Sequence, residues 1–489
     1  MKDINKNLIP KYHYEKDIRS NLDKIRGLYR NQDEYKERTI DKGEVITIIS
    51  LETMCDTEKV ARQLIEPITI AKDISSIKAL SALPLNIFTK VINVFEQMVQ
   101  DFVNGYALVF VGDSKQCVAV DLRIAQGRAV TTTFTSAVSK GPREGFTEDI
   151  KVNLALVRKR LKTEKLRTIN LTVGKYTNTS VAICYLETIA DISIVNNIAQ
   201  TIKSINIDGI TDSSQIARLL DKENTLMFRR VGDTEKPDVA VGKMLEGRIA
   251  VIVDGSPIVL TLPYMFIEDL QGPEDYFQNA TTTSVSRALR AIAVVASAFL
   301  PSLYVSLQLY NYQIIPLKFL VTITKATQTI PFSPLSEMLL VLVLFDILRE
   351  ANMRMPSAAG FSLSLVGAIV LGDAAVNAGL LGAPAVVIGA LSGIGLYTMP
   401  DNTVLLSIVR LFVTFLGGLM GLLGVILACL ALLCYAVELG SYKTPYLAPY
   451  APIIESDKQD SIMKSDLTKL SERPVAVSTE NRTRFTEDK

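Results

Sequence analysis

Long apolar runs without a single charge restrict this chain more than any other feature. Ala291–Leu317, Phe361–Gly372, Ala374–Pro400 and Leu411–Val437 contain no Asp, Glu, Lys or Arg. A helix needs about 20 apolar residues to cross about 30 Å of hydrocarbon. Residues 1 to 285, by contrast, are rich in charge and mixed in pattern. The expected fold class is therefore an α/β soluble N-terminal domain followed by an α-helical polytopic membrane domain.

The net charge of +1 hides this division, because only thirteen charged residues fall between Ser284 and Gly440. There is no basic excess of the kind that binds nucleic acid. The five cysteines show no CxxC spacing, so neither a disulfide framework nor a structural zinc site is expected. His13 is the only histidine, which removes histidine-based triads and metal clusters. No catalytic set, metal site or cofactor motif is found, and an enzyme is not expected. The N-terminal MKDINKNLIPKYHYEKD lacks the apolar core of a secretory signal, so the soluble domain is expected in the cytoplasm.

Residues 1–40 read as a polar N-terminal segment. The soluble domain is expected over 41–285 as two subdomains, about 41–150 and 151–285. Glu44–Leu51 reads as a strand, and Asp56–Glu66 as a helix capped by Asp56 or Thr57. Apolar residues from Ile87 to Phe102 recur at helical spacing, ahead of an Asn104-Gly105 cap. A hairpin follows, Tyr106–Val111 with Cys117–Leu122. The same order returns later as Arg248–Val253, an Asp254-Gly255 turn and Ile258–Leu262. Asp-Gly between apolar runs is a strong hairpin signal. The two subdomains could thus be related.

The membrane domain is expected over 286–440. Four spans are placed at about Ala288–Leu309, Phe361–Leu380, Pro384–Met399 and Leu405–Val437. A shorter interfacial or re-entrant helix is placed at Ser336–Asn352. Arg287 and Arg290 precede the first span and Lys443 follows the last. The positive-inside bias then puts both ends in the cytoplasm, which an even number of spans satisfies. Residues 441–489, polar and low in aromatics, are expected to be a disordered tail.

Three groups of residues are candidates for function. Ser362, Val366, Ile369, Asp373 and Asn377 share one face of the second span. An ionisable residue inside a membrane helix usually faces water or a partner, so this face is a candidate pore lining, with Asp373 favouring cations. The alternative is that Asp373 lies near a membrane end or pairs with Arg410 as a structural lock. Asp346, Arg349, Glu350 and Arg354 form either a surface salt-bridge ladder or a charged gate or vestibule. Pro273, Glu274, Asp275, Arg287 and Arg290 stand where the two parts of the chain meet and are candidate coupling residues. Gly417 and Gly421 form a GxxxG pair that favours close helix contact, within or between chains.

Several blocks resemble the A subunit of bacterial spore germinant receptors, the GerA family. They are GPREGFTE (141–148), EKPDVAVGKMLEGRIAVIVDGSPIVLTLP (235–263), GPEDYF (272–277), SRALRAIAVVASAFLPSLYVSL (286–307), PFSPLSEMLLVLVLFDILREANMRMP (331–356), GAIVLGDAAVNAGLLGAPAVVI (367–388) and NRTRF (481–485). The resemblance implies a multi-pass protein of the spore inner membrane. It implies a permease-like B subunit and a lipoprotein C subunit as partners, and a homo-oligomer joined through the membrane domain. It further implies a ligand-gated channel that releases monovalent cations early in germination. A close relative, the stage V sporulation protein AF type, implies an amplifier of ion release instead. A non-conducting scaffold that clusters receptors is the remaining alternative.

Overall fold

The computed structural model describes residues 18–29, 32–42, 44–71, 88–112, 116–123, 141–221, 228–354, 370–477 and 481–484, together with 74, 77, 80, 367 and 479. They fall into two compact units. The first takes residues up to 224 with 231–263 and 477–483; the second takes 225–230, 264–476 and 484–489.

The first unit holds two five-stranded antiparallel sheets. Strands β1 (Tyr35–Asp41), β2 (Val45–Leu51), β3 (Thr89–Ile92), β4 (Ala107–Val111) and β5 (Cys117–Val120) line up as β1-β2-β4-β5-β3. Strands β6 (Leu166–Val173), β7 (Thr179–Leu186), β8 (Gly232–Thr234), β9 (Ile249–Val253) and β10 (Val259–Leu262) line up as β6-β7-β9-β10-β8. The two orders are the same when each set is counted from its first strand. Helix Phe95–Val103 precedes β4, and helix Pro237–Leu245 precedes β9. The repeat reaches single hydrogen bonds. Cys55 N donates to Leu51 O at 2.9 Å, and Ala190 N donates to Leu186 O at 2.9 Å. Glu52 N donates to Glu34 O at 2.9 Å, and Glu187 N to Lys165 O at 3.0 Å. The sequences at this corner are Leu51-Glu52-Thr53-Met54-Cys55-Asp56 and Leu186-Glu187-Thr188-Ile189-Ala190-Asp191. Asp56 and Asp191 each cap the helix that follows. Gly105 and Gly247 leave the next helix at φ 91° and 102°, which only a residue without Cβ adopts freely. The soluble part is a duplication.

Two expectations need correction here. Strand β1 lies almost wholly inside the segment 1–40 assigned to a polar N-terminal arm; it is an edge strand on which Lys36, Arg38 and Asp41 are exposed and Glu37 is half-buried. The helical spacing from Ile87 to Phe102 covers two elements, the edge strand β3 and then the helix Phe95–Val103. A four-residue strand is too short to break the helical count. Cys55, Cys117 and Cys184 are buried in these cores, and burial pushes each thiol up to about 12. They are inert, reduced core residues.

The second unit is helical. Its helices are Ala280–Leu309, Leu317–Thr327, Pro334–Met353, a short helical stretch over 370–377, Ala383–Leu396 and Thr403–Glu438. Among the described residues, the first and last are long and apolar enough to cross a membrane. Pro301 sits inside the first without ending it. Small residues let the backbones meet. A Cβ on Gly395 would lie 2.6 Å from Ala293 O, and one on Gly417 would lie 3.1 Å from Ser302 O.

The last helix is not one span. Gly421 has φ 66° and ψ −148°, and the chain reverses there. Residues eight apart on a straight helix are separated by about 12 Å. Instead, a Cβ on Gly417 would touch Val425 at 3.0 Å, and one on Gly424 would overlap Leu416 O at 2.2 Å. Val409, Val413, Val425 and Ala428 share one buried cluster. Residues 403–420 and 422–438 thus form an antiparallel hairpin, with arms of about 27 and 26 Å. Tyr310 closes the turn: its hydroxyl donates to Gly418 O at 3.2 Å and Leu419 O at 2.9 Å, carbonyls freed by the break. The single span expected at 405–437 becomes two arms.

The tail is also ordered over 441–477. Asp457 accepts from Val475 N and Ala476 N, both at 2.9 Å, and Thr444 donates to Ala476 O at 3.0 Å. Polar contacts order it, which is why low apolar content misleads.

Gly421→Ala should cost about 2 kcal/mol or more, since its backbone conformation is essentially glycine-only and Tyr310 fills the Cβ position at 3.0 Å. Gly393→Ala, where nothing lies within 4 Å, should be neutral or slightly stabilising. Thermal unfolding of the two solubilised variants checks the contrast; equal midpoints would refute the hairpin.

Candidate functional site

Arg410 lies fully buried in the first arm of the hairpin. Its guanidinium donates to Asp346 Oδ1 at 2.7 Å and to Ser392 Oγ at 3.2 Å. The Ser392 hydroxyl donates onward to Ser297 O at 2.7 Å. Ser407 donates to the other oxygen of Asp346, and Arg349 stands 3.3 Å from Asp346. One buried charge thus ties helices 280–309, 334–353, 383–396 and the hairpin. Glu337, also buried, accepts the N–H of Gly382 at 2.5 Å and so meets the positive end of helix Ala383–Leu396.

The charge ladder read from the sequence divides here. Asp346 and Arg349 belong to the buried network. Glu350 and Arg354 form an exposed pair at 2.7 Å, one helical turn apart. The suggested pair of Asp373 with Arg410 does not form, because Arg410 is taken by Asp346. Asp373 and Asn377 are exposed, and the Asn377 amide donates to Asp373 at 2.6 Å. Ser362, Val366 and Ile369 lie outside the described residues. Gly367, which is described, is buried, and a Cβ there would press on Leu348 at 2.9 Å.

The candidate coupling residues converge at the start of helix Ala280–Leu309. Pro273 opens a 3-10 turn, Pro273–Phe277. It presents Asp275, which accepts from Arg287 Nε at 2.9 Å and from Arg290 at 2.8 and 3.0 Å. Glu274 lies 3.7 Å from Arg290. Sequence reading missed the other partners of Arg287, Asp460 and Ser461 of the tail, at 2.8 and 2.6 Å. It also missed Asp269, which accepts from the Tyr264 hydroxyl and the Asn402 amide. Burial holds this carboxyl up at about 6, with Glu268 and Asp401 pushing the same way and Arg229 opposing. A lone arginine in an apolar run was the signal for a hidden acid near Arg410; no comparable signal marks Asp269.

The first unit carries a cavity of about 520 Å³ between its subdomains, bordered by Thr53, Asn104, Arg123, Arg158, Lys159 and Lys162. Arg158 is buried there against Glu34 and donates to Gln32 at 3.1 Å, while Gln32 donates to Leu166 O at 3.1 Å. These bonds join the two sheets. Among the described residues no group of three or more His, Cys, Asp or Glu could hold a metal ion.

The sequence matches the family described as "Bacillus/Clostridium GerA spore germination protein" over residues 23–476. The chain belongs to that family. Spore germination protein KA of Bacillus subtilis (strain 168) is 30% identical over 450 residues, 91% of this chain and 82% of that protein. An uncharacterized membrane protein, YfkQ, of the same organism is 32% identical over 381 residues, covering 78% of this chain and 74% of the other. The crystal structure of the N-terminal domain of the A subunit of the Bacillus megaterium spore germinant receptor GerK3 is 24% identical. It aligns with a TM-score of 0.40, over 52% of this chain and 96% of that one.

Asp346→Leu or Arg410→Met alone should cost about 3–5 kcal/mol by leaving a buried charge unmatched, and the double replacement should recover most of it. A double-mutant cycle on thermal unfolding of the solubilised protein checks this; additive losses would refute the pairing.

Asp269 sets a pH dependence. Its carboxyl is raised from 3.8 to about 6 in the folded protein, so folding favours the protonated form. That contribution is complete below about 3.8 and is lost as pH rises through about 6. Unfolding midpoints of the wild type should fall across this window, and Asp269→Asn should flatten the profile; parallel profiles would refute it.

Proposed function

We propose that this chain is the A-type subunit of a spore nutrient receptor in the spore inner membrane, working with a permease-like B subunit and a lipoprotein C subunit. Copies of it assemble through the membrane helices into a ligand-gated channel for monovalent cations. Its N-terminal domain and its tail face the cytoplasm. The observation that carries this reading is the family match over 23–476, which runs through both units and joins a duplicated α/β part to helices able to span a membrane.

The pore reading rests on the segment that carries Ile369, Asp373 and Asn377. Asp373 is exposed, and among the described residues its carboxylate is met by the neutral amide of Asn377. A carboxylate so placed keeps its charge available to a passing ion. Opening is a population shift: a partner's ligand-bound state favours an open arrangement of the helices, passed on through 272–290.

The test is potassium efflux from spores carrying Ile369→Ala or Asp373→Asn, with and without nutrient. Constitutive leak, or lost efflux at normal protein level, is the expected outcome. Wild-type efflux from both variants would reject this segment as the pathway.

A further inference from the structure

Arg287 is completely buried, about two turns into the first membrane helix, and its three nitrogens are served unequally. Nε is met by Asp275 at 2.9 Å, from the turn just before the helix. Nη1 is met at 2.8 and 2.6 Å by Asp460 and the carbonyl of Ser461, from a segment about 170 residues later. Nη2 is buried and, among the described residues, has no partner. The tail therefore supplies two of the acceptors on which this buried cation depends.

The tail is gripped in return. Gln271 donates to Asp460 O at 2.7 Å, and the Tyr276 hydroxyl donates to Asp460 Oδ2 at 3.2 Å. Lys464 Nζ donates to Asp275 O at 2.5 Å, and its backbone N–H donates to Ser284 Oγ at 2.9 Å. The Tyr276 ring lies against both cations, 5.7 Å from Arg287 and 5.0 Å from Lys464. Asp460 and Lys464 pair across a single bridge, so the segment is a small clasp rather than a loose strand. Ser284 and Arg287 are three residues apart on the helix, so the clasp covers one face of its first turns.

Such a contact has two states. Partial withdrawal would strand the guanidinium with one acceptor in a dry site, which is costly. Full withdrawal exposes the helix base to water and frees its start to tilt or turn.

We propose that residues 456–465 are a latch that fixes the base of the first membrane helix in the resting receptor and must release when the receptor responds. This rests on the receptor reading. Asp460→Asn combined with Lys464→Met opens the latch while leaving Arg287 and Asp275 in place.

Two measurements on the full-length protein test it. Hydrogen exchange of purified protein should quicken at least tenfold over 456–465 and 280–290 in the double variant. Spores carrying that variant, at wild-type protein level, should germinate without nutrient or at several-fold lower concentrations of a mixture of the twenty amino acids and glucose, read as loss of optical density. Unchanged exchange overturns the proposal. So does loosened exchange with an unchanged or abolished response, since the tail is then a passive anchor or a prop. If the wild-type chain itself supports no response, the receptor reading falls and the latch falls with it, and that control separates the two failures.

Discussion

A full positive charge among apolar helices is the constraint around which the second unit is built. Arg410 is out of contact with water, and an isolated buried cation is far too costly to keep. It is tolerated because Asp346 neutralises it, with Ser407 bonded to that carboxylate, and because Ser392 accepts a second hydrogen bond from it. Those partners sit on different helices, so satisfying the charge fixes how four helices meet. Nonspecific apolar contact could not do this, since lipid chains are as apolar as leucine. Small residues at 293, 297, 302, 395 and 417 then let the backbones approach closely enough for a side chain as short as Ser392 to reach the Ser297 carbonyl.

The first unit solves its assembly problem by repetition. Each half places a Leu-Glu-Thr corner after its second strand and an Asp cap on the next helix. Each closes its inner hairpin after a left-handed glycine. The halves are not equivalent where they meet. Gln32 and Glu34 of the first half, the latter also bonded to Thr53, meet Leu166 and Arg158 of the second. Among the described residues the buried Arg158–Glu34 pair has no counterpart in the repeat's hydrogen-bond pattern. Duplication supplies two stable sheets; a few polar residues outside the repeated pattern join them.

What could be read from the sequence follows from how each feature is encoded. Charge-free runs and the Asp-Gly hairpin are local, so the two-part layout and the inner hairpins β4–β5 and β9–β10 were legible. Edge strands were not: Tyr35–Asp41 lies at the sheet's edge and carries four charged residues, three of them exposed, which breaks the apolar alternation that marks a strand. The reversal at Gly421 is one residue in an unbroken apolar run, and several glycines there look alike until φ and ψ are known. Arg410 announced a partner, but Asp346 lies 64 residues away and nothing local selects it over Asp373. The tail misled for a similar reason. Its order comes from carboxylates and lysines meeting a distant helix, and composition alone reads such residues as solvated.

The same accounting separates fixed from free parts of the helical unit. Arg410 and Asp346 hold its interior, Glu337 pins a helix start, and Arg287 with Asp275 and Asp460 pins the base of the first membrane helix. Each of these charges has a directional partner on another element, so moving any of them costs a buried hydrogen bond. The stretch 370–377 is held differently. It opens with a π turn, its acid is bonded to an amide one turn away on the same stretch, and both side chains are exposed. A π turn departs from the regular i to i+4 ladder and is common where function bends a helix. Ala375 packs against the cluster of Met338 and Val341, but among the described residues no side-chain hydrogen bond ties this stretch to another helix, whereas its neighbours have several. If any segment here changes its facing between two states at low cost, the physics selects this one.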